Sequence, residues 1–147
     1  MKVNDNIIAD IRRFNRFYTN RLGVLDRHVL DTGYSLTEAR VIIEIGIMEQ
    51  CIANNLVDIL EIDRSYMSRI IAKLYKDGLL IKKKITLDNR TSLISLTSKG
   101  TALYNQLNEK SDEQIVRLVQ GLSQKEIKDI HASMLLIQQK LNRLEKI

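Results

Sequence analysis

The chain has 147 residues, 44% of them hydrophobic and 28% charged, and a formal net charge of +5. That length bounds it to one domain with an appendage, able to bury a core without staples. A single cysteine excludes an intrachain disulfide or a thiolate metal cluster and fits a reducing cytoplasm, and no apolar run of about 18 residues appears, so neither export nor membrane insertion is expected.

A first amphipathic helix is expected from Asp5 to Asp31. Ile7, Ile11, Phe14, Tyr18, Leu22, Leu25 and Val29 recur at spacings of three and four, and Arg12, Arg13, Arg16 and Arg21 take other faces. Gly33 then interrupts. Ser35 or Thr37 caps a second helix, supported by Glu38. Leu36, Ala39, Val41, Ile42, Ile43, Ile45 and Ile47 make it apolar over most of its circumference, so it is expected to be central and buried. A short third helix covers about Ala53 to Leu60. A tight Glu61-Ile62-Asp63 turn leads to a fourth, capped by Asp63 and ended by Gly78. Met67, Ile70, Ile71 and Leu74 form its inward face, and Tyr66, Arg69, Lys73 and Lys76 its outward face. Two short helices joined by a three-residue turn, the second with a basic outer stripe, are the pattern of a groove-reading unit.

Two strands follow, Leu79 to Lys84 and Thr91 to Leu96, joined by Asp88-Asn89-Arg90 turn chemistry. Thr97 caps a long helix carrying Leu103, Leu107, Ile115 and Leu118, which Gly121 breaks. Ser123-Gln124-Lys125-Glu126 is a capping box. It opens a last helix with a coiled-coil-like seam of Ile127, Ile130, Met134, Ile137, Leu141 and Leu144. The first and last helices together carry more apolar surface than one small domain needs. A symmetric dimer would bury it, and packing within one chain is the alternative.

Charge is concentrated. Glu61 to Lys99 holds nine basic residues against four acids, an excess equal to the net charge of the whole chain. Such an excess is an electrostatic footprint for a polyanion, or else a solvated surface. His28 and His131 are isolated, and no nucleophile–base pair, phosphate-binding glycine loop, metal spacing or paired carboxylates appear, so no enzyme and no cofactor are expected.

These motifs in this order resemble the multiple antibiotic resistance regulator (MarR) family of dimeric winged helix-turn-helix transcription factors. The matching residues are Leu36-Thr37-Glu38-Ala39-Arg40-Val41, Asp63-Arg64-Ser65-Tyr66-Met67-Ser68-Arg69, Leu74 to Leu79, Asp88-Asn89-Arg90 and Leu96-Thr97-Ser98-Lys99-Gly100. Ile11 to Tyr18 and Gly33 to Arg40 are also similar to a subgroup fused to an acetyltransferase. This chain stops at Ile147, so the likeness is to the regulator half and no such domain is expected. Two positions depart from the family pattern. Glu61 stands where a glycine or other small residue is usual. Lys82-Lys83-Lys84 replaces an arginine pair, keeping charge but losing the bidentate fork.

The resemblance implies a mainly α fold with a small β-hairpin wing. It implies three segments: an N-terminal dimerisation helix (1–34), a winged lobe (35–100) and C-terminal dimerisation helices (101–147). The helix from Arg64 enters the major groove, presenting Ser65, Tyr66, Ser68, Arg69 and Lys73. Arg69 makes a bidentate contact to guanine or a phosphate clamp. Lys73, Lys76, Lys83 and Lys84 meet phosphate. Arg90 enters the minor groove, beside Asn89, with Asp88 orienting it or serving as a plain turn residue. Asn54 and Asn55 contact phosphate or cap their helix. Dimer contacts fall on Ile7, Ile11, Phe14, Ile127, Ile130, Met134, Ile137, Leu141 and Leu144. Family members respond to small anionic aromatics or to thiol oxidation, which makes Tyr18, Arg21, Tyr34 and Arg40 candidate effector-pocket residues. Cys51 reads as an inert core thiol. The implied partners are double-stranded DNA with a palindromic operator, a second copy and a small-molecule effector. The competing reading is a winged-helix module that docks on a protein, such as a separately encoded enzyme.

Overall fold

The computed structural model describes residues 3–23, 32–85 and 91–145, with side chains described as far as residue 142. Among these residues the elements run α1 (Asp5–Leu22), α2 (Leu36–Met48), α3 (Ala53–Leu60), α4 (Arg64–Lys76), β1 (Leu80–Lys84), β2 (Ser92–Leu96), α5 (Ser98–Leu118) and α6 (Gln124–Glu145). The chain parts into two units, 1–112 and 113–147, and α5 runs through both.

In the first unit, α1, α2, α4 and α5 each start where a side chain accepts from a free N–H of the first turn. Ser35, not Thr37, caps α2: its Oγ accepts from Glu38 N–H at 3.2 Å, and Glu38 Oε1 accepts from Ser35 N–H at 2.9 Å. Asp63 caps α4 through Ser65 N–H and Tyr66 N–H, both at 3.1 Å. Between α3 and α4, Glu61 sits at φ +53°, so the non-glycine residue bears the left-handed turn at a cost of about 1 kcal/mol.

The core gathers Val41, Ile42 and Ile45 of α2, Leu56 of α3, and Met67, Ile70, Ile71 and Leu74 of α4. Ala39 of α2, Cys51, Leu79, Leu80, Ile94, Leu103 and Leu107 complete it. Leu103 and Leu107 carry the packing of the lobe beyond residue 100 into α5. The expectation that α2 is central and buried holds along one face and gives way at its ends. Ile47 is 61% exposed and Leu36 is also exposed, while Ala39, Val41, Ile42 and Ile45 face inward.

The hairpin is antiparallel, with Leu80 opposite Leu96, Lys82 opposite Ile94 and Lys84 opposite Ser92. Each strand is one residue shorter at its start than its composition suggests. β2 is also pinned on its other edge: Cys51 N–H donates to Ile94 O at 3.0 Å and Ile94 N–H to Cys51 O at 2.7 Å. The Leu96–Gly100 motif clamps the end of α4 to the start of α5. Thr97 Oγ1 donates to Gly78 O at 2.6 Å and accepts from Gly100 N–H at 3.0 Å, and Lys99 Nζ donates to Asp77 O at 2.8 Å. Gly100 must lack a side chain, because a Cβ there would overlap the Leu79 carbonyl.

α1 buries no residue. It ends earlier than its stripe suggests, because Gly23 adopts φ +67° and caps it after Leu22. Leu25, Val29 and the rest of the stretch to Asp31 lie outside the described residues. In the second unit, Ser123 and Glu126 exchange the two hydrogen bonds of the expected capping box, both at 3.1 Å, and α6 follows. Ile127 is half-buried, whereas Ile130, Met134, Ile137 and Leu141 are exposed. The Leu144 side chain lies outside the described residues. Among the described residues, no helix is long and apolar enough to cross a membrane.

Candidate nucleic-acid interface

The period of α4 separates its two faces. Met67, Ile70, Ile71 and Leu74 are buried, and that burial orients the helix. Arg64, Ser65, Tyr66, Ser68, Arg69, Lys73 and Lys76 are left exposed. Deleting one inward side chain, as in Leu74→Ala, removes about 2–5 kcal/mol and with it the registration of this outer face. The Asp63 cap fixes the first turn, where Ser65 and Tyr66 sit. Arg69 lies over the Tyr66 ring at 5.6 Å, which stiffens a long side chain by cation–π attraction.

Lys83 and Lys84 project from β1 and are exposed. Lys82 lies 4.8 Å from the centre of the Tyr75 ring, linking the hairpin to α4. Among the described residues the ion pairs are Arg13–Asp10, Arg40–Glu44 and Lys73–Glu38. No described acid therefore pairs with Arg64, Arg69, Lys76, Lys83 or Lys84. Exposed cations without acidic partners are what a polyanion can engage without first breaking a contact.

Lys73 differs. Its Nζ donates to Glu38 Oε2 at 2.7 Å and lies 5.3 Å from the centre of the Tyr34 ring. The hydrogen bond to Glu38 raises the Lys73 pKa. Burial pushes the Glu38 carboxyl up, but Lys73 and the Ser35 N–H outweigh it and hold the group below its ordinary range. Tyr34 Oη donates to Asp77 Oδ2 at 3.0 Å; burial first, then this carboxylate, push the phenol pKa up. Sequence gave Glu38 a role in starting α2, and it has that role through Oε1. Its second role, through Oε2, joins residues 35 positions apart and has no local signal.

The proposed effector-pocket residues are engaged separately. Tyr18 stacks on Phe14 with centroids 5.7 Å apart, Arg21 lies over Phe17 at 5.2 Å, Tyr34 serves Lys73 and Asp77, and Arg40 pairs with Glu44 at 3.2 Å. None of them lines the cavity of about 280 Å³ bounded by Ile52, Asn54, Ser68, Ile71, Lys82 and Thr91, between α3, α4 and the hairpin. Sequence alone points to neither Ile52 nor Thr91, because each looks ordinary until the hairpin folds back, whereas Lys82 belongs to the basic Lys82-Lys83-Lys84 run already singled out. Asn55 Oδ1 accepts from Ile52 N–H at 2.9 Å, so its side chain caps α3, while Asn54 is exposed beside the cavity. Cys51 is 3% exposed, and burial pushes its thiol up to about 11. Asp88, Asn89 and Arg90 lie outside the described residues.

A helix pair with a tight turn, a capped and cationic second helix, and an adjoining basic hairpin define a winged helix-turn-helix lobe. Residues 34–92 match the model of the MarR family. The HTH-type transcriptional regulator FarR of Neisseria gonorrhoeae is 30% identical over 82 residues, 54% of this chain and 56% of that protein. The chain thus spans little more than half the length of this curated relative. A mutant of MarR from E. coli, solved in a complex with operator DNA, superposes with a TM-score of 0.71 at 17% identity, covering 93% of this chain and 99% of that one. BpsR of Bordetella bronchiseptica, solved to explain regulation of its DNA binding by 6-hydroxynicotinic acid, gives a TM-score of 0.71 at 18% identity, covering 89% and 96%. At these identities the two superpositions establish the winged-helix fold.

Proposed function

We propose that this chain is a homodimeric, sequence-specific DNA-binding transcriptional regulator, a cytoplasmic repressor rather than an enzyme. In this reading α4 enters the major groove and the hairpin meets the minor groove. The observation that carries it is the set of exposed, acid-free cations on α4 and the adjoining β1, fixed by the buried face behind them. The operator complex of E. coli MarR supports the same use of the fold. Arg69 reads a base edge and Lys76, Lys83 and Lys84 meet phosphate. Arg90 enters the minor groove, with Asp88 and Asn89 shaping the turn. The exposed Ile7, Ile11 and Phe14 of α1 and the exposed Ile130, Met134, Ile137 and Leu141 of α6 support pairing with a second copy, and a palindromic operator follows from that symmetry. A small-molecule effector is the further proposed partner, as 6-hydroxynicotinic acid is for BpsR.

Selection of bound duplexes from a random pool tests this reading. Wild type is expected to enrich a palindrome. Arg69→Ala should relax one base position in each half-site, by about 1–3 kcal/mol of discrimination. Lys76→Ala should lower affinity evenly across sequences and flatten the salt dependence by about one unit. No enrichment, with weak binding blind to sequence, would sink the regulator reading and favour a winged helix that docks on a protein.

A further inference from the structure

We propose that the Glu38 carboxylate acts as an internal phosphate mimic, holding the Lys73 ammonium away from DNA and so limiting how tightly the recognition helix binds. This rests on the DNA-binding reading above. Lys73 belongs to the outer stripe of α4, four residues after Arg69 and three before Lys76. Unlike them it is already occupied, by Glu38 Oε2 at 2.7 Å. The two partners are unequal. The Lys73 side chain is 50% exposed and flexible, whereas Glu38 is 14% exposed and fixed by its bond from Ser35 N–H at the start of α2. The Tyr34 ring beneath the ammonium adds to the hold, and Tyr34 is itself anchored on Asp77.

A phosphate that takes Lys73 must leave a mostly covered carboxylate without its cation, which is costly. An approaching duplex therefore meets Lys73 and Glu38 as a neutral pair, and Lys73 releases no counterion on binding. Removing the charge of Glu38 without removing its cap should free it. Glu38→Gln does this, because glutamine keeps the oxygen that accepts from Ser35 N–H and suits this position of a capping box.

The test measures affinity for the selected duplex across a salt series for wild type, Glu38→Gln, Lys73→Gln and the double variant. Elution from heparin, a polyanion without sequence, runs in parallel. Glu38→Gln should steepen the salt dependence by about 0.9, which corresponds to about eightfold more affinity gained per tenfold dilution of salt. It should also elute later from heparin, and both changes should vanish when Lys73 is glutamine. An equal change in both Lys73 backgrounds would make Glu38 a plain surface charge and overturn the proposal. So would unchanged or weaker binding by Glu38→Gln, which would mean that the contact merely positions α4. Duplex binding with no shift on either measure removes the mimic and keeps the regulator reading. The expected heparin shifts with no selected duplex keep the mimic and remove the regulator reading.

Discussion

Gly46 lies inside α2, where glycine is ordinarily a defect. Replacing it with alanine should help the helix by about 0.8–1 kcal/mol. The structure opposes that gain. A Cβ at residue 46 would lie 2.7 Å from Cγ of Tyr104 and closer still to Cδ2 and Cε2. Ordinary carbon contacts are about 3.5–4.0 Å, so the ring must retreat by roughly 1 Å. Tyr104 is itself partly buried against the core, and the atoms struck include ring Cγ rather than only the far end of the side chain, so the ring cannot simply swing away. Overpacking of this kind costs about 1–3 kcal/mol. Three ring atoms are struck at once, so the upper half of that range applies and Gly46→Ala should destabilise by about 1–2 kcal/mol net. In a Tyr104→Ala background the obstacle is gone and the same substitution should stabilise by nearly 1 kcal/mol. Equilibrium urea unfolding of the four proteins, at one fixed protein concentration, measures the cycle. A stabilising Gly46→Ala in the presence of Tyr104, or the same change in both backgrounds, would refute the close approach of α2 and α5.

Two further outcomes follow from local chemistry. Asp63→Ala should cost about 1 kcal/mol, because the N–H groups of Ser65 and Tyr66 lose their acceptor, whereas Asp63→Asn removes the same charge and should stay within a few tenths. Equal losses in urea would show that charge, not capping, sets the start of α4. Cys51 gives a pH dependence. Its folded thiol is held up at about 11 by burial, above an unfolded value of about 8.5, so the fold favours the neutral form. Its stabilisation is complete below about pH 8.5 and falls as pH rises toward the folded value, by up to roughly 1.4 kcal/mol per unit. Cys51→Ala should therefore show a flatter loss of melting temperature between pH 9 and 11 than wild type; parallel curves would contradict a buried thiol.

What was legible in the sequence is what is local. Ser35 with Glu38, Asp63, Thr97, and Ser123 with Glu126 act over three residues, so the chain announces these four helix starts locally, with only the choice between Ser35 and Thr37 left to the structure. The inward face of α4 was legible for a related reason, since a period near 3.6 needs no knowledge of the partner surface. The end of α1 was not. The apolar stripe continues past Gly23 into Leu25 and Val29, and periodicity outweighed a single glycine. Nor was the fate of Lys73. Composition counts it as one more cation of the stripe, and only the fold brings Glu38 and Tyr34 against it. The exposed end of α2 fails differently: Ile47 is as apolar as Ile45, and nothing within the helix says which of them the lobe will cover.

The apolar residues left uncovered are not spread evenly, and that unevenness bears on stability. In the winged lobe the large side chains of α4 are mostly inside, but α1 leaves Ile7, Ile8, Ile11, Phe14 and Phe17 exposed. α6 leaves Ile130, Met134, Leu135, Leu136, Ile137 and Leu141 in the same condition. A side chain of this size contributes about 1.5–3 kcal/mol when fully buried, so even partial cover of these two helices rivals the stability of a small domain, about 5–15 kcal/mol. In the proposed homodimer that contribution exists only when two chains meet. Folding of these helices is then inseparable from association, and the measured stability must rise with protein concentration. The lobe is in a different position, because its core closes on residues of one chain, from Ala39 to Leu107. Dilution should therefore loosen α1 and α6 first and leave the α4 surface formed but unpaired. Half-site binding would then survive while the cooperative grip on a palindrome is lost.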